Sequence, residues 1–126
     1  MVRFVMAISV DALTVDSKNP KALSQFWSAA LEWQIIDESD DEVLVAPFQE
    51  RRPGVFPLLF AANSDVKTVK NRWHFDLTPS DQAAEVSRLE GLGATRVDIG
   101  QSDVSWVVMA DPEGNEFCVL KTLPVD

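Results

Sequence analysis

The order of apolar and polar positions predicts one helix and four strands in the first half of the chain. Asn19 and Pro20 supply an N-cap and a first-turn proline, and the apolar residues that follow recur at helical spacing over residues 20–31. The stretch FVMAISVDALTV precedes this helix, and WQIIDE, EVLVAP and PLLFAA follow it as strand-like runs. The acidic SDD turn joins the first two of these runs into a predicted hairpin. The apolar stripe of the helix consists of Leu23, Phe26, Trp27, Ala30 and Leu31.

The second half repeats this order. A strand around His74 leads through TPSD into a helix that Gly93 ends as a C-cap, and ATRVDI, VSWVVMA and EFCVLKTL follow as strands. The turn DPEGN places Pro and Gly where a tight reversal needs them. An offset of about sixty residues aligns Thr14 with His74 and Asp16 with Asp76, which indicates a tandem duplication. The predicted helix carries an apolar stripe of Ala83, Val86, Leu89 and Leu92.

The only histidine of the chain lies in an alternating stretch, KNRWHFDLT, at residues 70–78. Its apolar side chains, Trp73, Phe75 and Leu77, fall on one face of a strand, and its polar side chains, His74, Asp76 and Thr78, fall on the other. We expect a helix or sheet to cover the apolar face. The polar face, with an imidazole and a carboxylate, then points to the inner surface of a curved sheet.

Size and composition indicate one domain over residues 1–126. A chain of this length with 46% hydrophobic residues can build a single core. The fold class is α+β: tandem βαβββ modules form a cup-shaped curved sheet with the helices on the outside. Module one covers about 1–62, a polar linker covers 63–71, and module two covers about 72–126.

Charge and cysteine content restrict the partners and the compartment. The net charge of −9 repels phosphate backbones and anionic lipids, so nucleic acid and membrane surfaces are not expected partners. No apolar run approaches the ~20 residues of a membrane span. A single cysteine and no signal-peptide pattern favour the cytoplasm. The acidity either attracts a cationic ligand or simply keeps the protein soluble.

The two predicted βαβββ units resemble the vicinal oxygen chelate superfamily, which has the glyoxalase, bleomycin resistance protein and dioxygenase fold. The resemblance rests on LSQFWSAALEW, KNRWHFDL, RLEGLGATRV and WVVMADPEGNEFCVL, and within the superfamily it is strongest to small bacterial glyoxalase-like domain proteins. It covers essentially the whole chain, and the part from Lys70 to Leu120 is the most specific. It implies a cup that often holds a divalent metal, with ligands from the first and last strands of both modules. Many members are homodimers, so we expect a homodimer; the alternative is a monomer in which the two modules of one chain pair with each other.

The resemblance places His74 and Glu116 on metal-ligand positions of the second module. The matching positions of the first module fall near Thr14 and near Ala61, and neither is a usual ligand. Catalytic metal sites need about three protein ligands and an open position. Further ligands would have to come from carboxylates such as Asp16 or Asp76, or from another subunit. The identity of the metal stays open among Mg, Mn, Zn, Ni and Fe, and oxygen ligands would favour Mg²⁺ or Mn²⁺.

Three further features have a functional and a purely structural interpretation. Cys118 shares the inner face with Glu116, and is either a nucleophile with His74 as its base or a buried structural thiol. Trp106 forms either a stacking wall for a flat ligand or part of the core. The paired Arg51 and Arg52 either grip an anionic group or are solvated loop charges.

Two functions follow, both with a small organic molecule in the cup. The first is a metal-assisted lyase, isomerase or dioxygenase-type enzyme, in which Glu116 moves a proton and His74 is a ligand. The alternative is a metal-free binding or sequestering protein of the drug-resistance type, for which acidity and four tryptophans suit an aromatic cation. A third interpretation is an interaction domain whose cup is filled by side chains. The candidate ligand-binding residues are His74, Asp76, Trp106, Cys118, Thr14 and Asp16.

Overall fold

The computed structural model describes residues 7–50 and 52–122. Arg51, one of the two paired arginines, and the start of the strand predicted from Phe4 lie outside the described residues. The elements in chain order are β1 (Leu13–Ser17), α1 (Pro20–Leu31), β2 (Gln34–Glu38), β3 (Glu42–Ala46), β4 (Leu58–Ala62), β5 (Asp76–Leu77), α2 (Gln82–Leu92), β6 (Thr95–Arg96), β7 (Val107–Ala110) and β8 (Glu116–Val119).

The ten elements form two βαβββ modules with the same strand order. The first sheet has the order β1-β4-β3-β2, and the second has the order β5-β8-β7-β6. In each sheet the first strand of the module pairs in parallel with the last strand, and the other pairs are antiparallel. The α+β class and the tandem βαβββ order predicted from the sequence are confirmed.

The two helices begin and end at the predicted residues. The side chain of Asn19 accepts a hydrogen bond from Ala22 N at 3.2 Å, and that of Asp81 accepts one from Ala84 N at 3.1 Å. Both caps satisfy backbone N–H groups that have no partner within the helix. Glu32 ends α1 with a φ of 57°, and Gly93 ends α2 with a φ of 119°, a conformation that favours glycine.

One apolar core extends through both modules. Helix α1 covers the inner strands of its own sheet and reaches the second module through Trp27. The Trp27 ring meets Phe75 and Phe117 edge to face, with centroid distances of 5.6 and 5.0 Å. The buried core residues include Leu23, Phe26, Val43, Val45, Leu58, Phe60, Val86, Leu89, Met109 and Val119.

The DPEGN turn at 111–115 fastens the second module to the start of α1. Buried Asp111 accepts a hydrogen bond from Trp27 Nε1 at 2.9 Å. The Glu113 carboxylate accepts hydrogen bonds from Lys18 N at 2.9 Å and Asn19 N at 3.3 Å, and from the Ser17 hydroxyl. A carboxylate at a helix N-terminus also meets the positive end of the helix dipole. The turn therefore connects the modules as well as reversing the chain.

Arg88 of α2 holds the opposite end of α1. Its guanidinium donates to the carbonyl oxygens of Ala29 at 3.1 Å and Ala30 at 2.8 Å, which belong to the last turn of the helix. Glu85 accepts from the same guanidinium at 2.7 Å and keeps it in place. Side chains of the second module thus satisfy polar groups at both ends of α1.

Several predicted strands are shorter than expected, and among the described residues of the first predicted run only 13–15 belong to β1. The strand around His74 pairs with β8 only at Asp76 and Leu77, and β6 contains two residues. Phe75 and Leu77 pack against the core as predicted, but Trp73 is 86% exposed. The prediction that Trp73 would be covered is wrong, because this residue precedes the paired part of the strand.

No helix in residues 7–50 and 52–122 is long and apolar enough to cross a membrane.

Candidate ligand-binding cleft

A cleft of about 730 Å³ lies between the two modules. One wall is β1, and the linker, residues 71–75, the DPEGN turn and the start of β8 supply further lining residues. The volume falls in the range of small-molecule binding pockets, roughly 300–1,000 Å³. The aromatic residues that line the cleft are Trp27, Phe56, Phe60, Trp73, Phe75 and Phe117.

Polar side chains of both charges line the same cleft. Thr14 and Asp16 belong to the β1 wall, and His74 also lines the cleft. All three were candidate ligand-binding residues in the sequence. The linker and the DPEGN turn contribute the other polar groups, among them Asn63, Asp65, Lys67, Asn71, Arg72, Glu113 and Asn115. An aromatic surface with a few polar groups at its edge suits an organic ligand that has both an apolar and a polar part.

Glu116 lines the cleft, but protein donors engage both of its carboxylate oxygens. Lys67 Nζ lies 2.6 Å from Oε1, and Asn71 N donates to Oε2 at 3.1 Å. The Glu116 side chain is 8% exposed and the Lys67 side chain 21%. Burial acts to raise the pKa of Glu116, but the hydrogen bonds from Lys67 and Asn71 outweigh it and lower this pKa. Glu116 is therefore a stable carboxylate, which is a poor proton donor at neutral pH.

The strand registers show that the first-module counterpart of Glu116 is not Ala61. Asp16 pairs with Ala61, and its counterpart Asp76 pairs with Cys118. Ala61 therefore corresponds to Cys118, and the glutamate corresponds to Leu59. The sequence alignment placed this position two residues too late, because a sequence offset alone does not define the register between strands.

A metal bound at Glu116 does not fit the residues around it. The ammonium of Lys67 already neutralises the carboxylate, and Asn71 N occupies the other oxygen. In the first module the two matching positions hold Thr14 and Leu59, and an alkyl side chain supplies no ligand atom. A catalytic metal needs about three protein ligands, so the site implied by the resemblance is incomplete in this chain.

His74, Asp76 and Cys118 lie together beside the cleft. His74 Nδ1 is 3.3 Å from Asp76 Oδ1, and one ligand atom of each of the three residues lies within 4.8 Å of the others. Burial, and then the negative charge of Asp76, raise the pKa of the Cys118 thiol. A thiol with a raised pKa is a weak nucleophile, which favours the structural interpretation of this cysteine.

The remaining predicted residues lie away from the cleft. Trp106 is 40% exposed and, like Asp76 and Cys118, is not among the described residues that line it. Arg52 stacks on the Phe48 ring at 3.6 Å and pairs with Glu50 at 3.0 Å, so its charge is used within its own loop.

The sequence analysis missed Lys67 and Asn71 as residues of the site. Both belong to the linker NSDVKTVKN, which was assigned only as a boundary because it lacks apolar periodicity. The one signal in the sequence was a lysine and an asparagine next to the strand that carries His74. The way the linker folds back onto β8 depends on tertiary contacts that periodicity does not report.

The fold consists of paired βαβββ modules with a cleft lined by residues of both. Residues 12–120 match the family model described as a glyoxalase-like domain, so the chain belongs to the glyoxalase-like domain family. A comparison with curated proteins finds no significant match.

Solved structures of the same fold share little sequence with this chain. A glyoxalase/bleomycin resistance protein/dioxygenase family enzyme from Burkholderia phytofirmans has 19% identity and a TM-score of 0.67, over 90% of this chain and 100% of that one. The fosfomycin resistance protein FosX from Listeria monocytogenes, complexed with Mn(II) and a dihydroxypropylphosphonic acid, has 13% identity and a TM-score of 0.69, over 94% and 93%. The oxidase ChaP-H2 has 16% identity and a TM-score of 0.63, over 94% and 96%. At these identities the similarity shows the fold alone.

Proposed function

We propose that this protein binds a compact organic molecule in the cleft without a metal at Glu116. The observation that carries the proposal is the Lys67–Glu116 ion pair, which places an ammonium 2.6 Å from the carboxylate that would hold the metal. The function is then of the binding or sequestering type, and the metal-assisted lyase, isomerase or dioxygenase chemistry of the first interpretation has no metal at this position.

The lining of the cleft favours a flat aromatic ligand with a cationic group. Phe56, which is 39% exposed, and the partly buried Phe75 offer ring surfaces. Asp16 on the β1 wall offers a carboxylate, and the net charge of −9 attracts cations from a distance. Trp73 at the cleft adds an exposed ring that can cover a cation.

Tryptophan fluorescence tests the proposal directly, because Trp27 and Trp73 both line the cleft. A panel of aromatic cations, with neutral analogues of the same shape, is titrated into protein pretreated with a chelator. We expect saturable quenching by cations that Asp16→Asn weakens and that Asp103→Asn, a change of an exposed loop carboxylate, leaves unchanged. Binding that vanishes on chelation, returns with added metal in the wild type and does not return in Glu116→Gln would refute a cleft without metal at Glu116.

We also propose a homodimer in which exposed apolar side chains at positions 10, 66, 69 and 73 become covered. Val10 is 65% exposed, Val66 62%, Val69 76% and Trp73 86%, and apolar exposure of this extent is typical of interaction surfaces. Light scattering on a sizing column should give a mass near twice 14.0 kDa. Val69→Ser should lower the dimer fraction, and a monomer that persists at high concentration would contradict the assembly.

The compartment that we propose is the reducing cytoplasm, which suits a protein with a free thiol.

A further inference from the structure

Three side chains with different ligand atoms converge beside the cleft. Parallel pairing of β5 with β8 places Asp76 opposite Cys118, so their side chains share one face. His74, two residues before Asp76, lies on that face as well, with Nδ1 3.3 Å from Asp76 Oδ1. We propose that His74, Asp76 and Cys118 form a zinc site, separate from the position at Glu116 that the family resemblance implies.

The ligand atoms select the metal. Imidazole nitrogen, carboxylate oxygen and thiolate sulfur are the three ligand types of protein-bound zinc, whereas Mg²⁺ and Mn²⁺ prefer oxygen alone. Ligand atoms that lie within 4.8 Å of one another can reach one ion with small side-chain movements. Three protein ligands leave a fourth position for water or an external ligand. Because His74 also lines the cleft, the zinc site adjoins the ligand-binding cleft.

The charge balance distinguishes this site from Glu116. A thiolate and a carboxylate together match the charge of Zn²⁺, while the charge of Glu116 is already matched by Lys67. Binding releases the thiol proton to solvent and forms the sulfur–zinc bond, so no oxidant or reductant is required.

The two strands that flank β8 give the sulfur a fixed position. Cys118 pairs with Asp76 on one side and with Val108 on the other, and it is 8% exposed. The His74 and Asp76 side chains are 37% and 54% exposed, so they are free to adjust around an ion. The buried sulfur is held in place, and the two adjustable ligands lie at the surface. This arrangement leaves a path for the metal to enter.

Cobalt titration of untagged, chelator-treated protein tests the site, because a Co²⁺–thiolate bond has its own charge-transfer absorption. We expect one equivalent of tetrahedral Co²⁺ with a thiolate band, displaced by Zn²⁺. Cys118→Ser should remove the band. Loss of a ligand's hydrogen-bond partner weakens metal binding by roughly 10–100-fold. His74→Ala and Asp76→Asn each remove a ligand itself, so each should weaken zinc binding by more than this. Glu116→Gln and Asp103→Asn should bind zinc like the unaltered protein.

Three results would overturn the zinc site. These are a wild-type titration without a thiolate band, affinity unchanged in Asp76→Asn, and binding lost in Glu116→Gln but kept in Cys118→Ser. His74 and Asp76 have exposed side chains, so their variants are expected to fold, and circular dichroism verifies this. The outcome is independent of the proposed organic ligand, which is titrated against chelator-treated protein.

Discussion

Lys67 Nζ lies 2.6 Å from Oε1 of Glu116, and this pair connects the linker between the modules to the first residue of β8. The carboxylate is buried, and Asn71 supplies its other hydrogen bond. The linker therefore lies against the start of β8 and contributes residues to the lining of the cleft.

Removal of the ammonium should destabilise the protein. Lys67→Met leaves the Glu116 carboxylate buried with one fewer partner, which should lower the free energy of unfolding by about 1–3 kcal/mol. Urea denaturation measures the change. The double variant Lys67→Met/Glu116→Gln should recover part of this loss, because no uncompensated charge remains. A double variant less stable than Lys67→Met would contradict the account.

The same pair should make stability depend on pH in acid. Folding lowers the pKa of Glu116 from its usual value of 4.5. The stabilisation is therefore present above the unfolded-state pKa and is lost as pH falls through the folded-state pKa. In metal-free protein, the difference in unfolding free energy between wild type and Lys67→Met should shrink as pH falls below about 4.5, and a difference that grows in acid would have the wrong sign.

The Trp27–Asp111 hydrogen bond should contribute to the junction between the modules. Trp27→Phe keeps a ring in the core but leaves a buried carboxylate oxygen without its indole donor, at a cost of about 1–3 kcal/mol. Trp106→Phe, on a half-exposed ring, is the matched control and should cost much less. Thermal unfolding of both variants, together with Asp111→Asn in a double-mutant cycle, isolates the pair energy.

Glu113 should stabilise α1 although it belongs to the other module. Glu113→Gln removes the charge next to the helix N-terminus, and we expect a loss of about 0.5–2 kcal/mol, as for other helix caps. Glu90→Gln alters a more exposed carboxylate of α2 and serves as the control. Equal effects of the two substitutions on the unfolding midpoint would argue against the cap.

The Cys118 thiol should react slowly in the native, metal-free protein. It is 8% exposed, and burial and Asp76 raise its pKa, so little thiolate is present at neutral pH. A chromogenic disulfide reagent should label it only slowly until urea unfolds the chain. Asp76→Asn removes the nearby charge and should accelerate native labelling, whereas fast labelling of the unaltered protein would indicate an activated thiol.

Local chemistry explains why some elements were predictable and others were not. Asn19, Asp81 and Gly93 define the helix ends through contacts within a few residues, and these signals are visible in the sequence. Strand alternation correctly placed His74, Asp76 and Cys118 on one face. The exposure of Trp73 depends on where β5 begins to pair with β8, and periodicity alone does not reveal this.

Only those residues of the site that lie on a predicted strand could be predicted from the sequence. The resemblance pointed to Glu116, but the residue that neutralises it is 49 positions away in the sequence and lies in a segment without periodicity. The identification of Leu59, instead of Ala61, as the first-module counterpart of Glu116 required the strand registers. Long-range pairing of this kind is set by tertiary packing, which overrides local preference.

The way α1 is held at both ends bears on the history of the chain. Glu113 and Arg88 both belong to the second half: Glu113 accepts from the backbone N–H groups of Lys18 and Asn19, just before α1, and Arg88 donates to carbonyl oxygens in its last turn. The first half alone would keep the Asn19 cap but would lose the Glu113 carboxylate and the Arg88 guanidinium. A different second module would have to supply the same carboxylate and guanidinium at these two places, so we expect the two halves to change together.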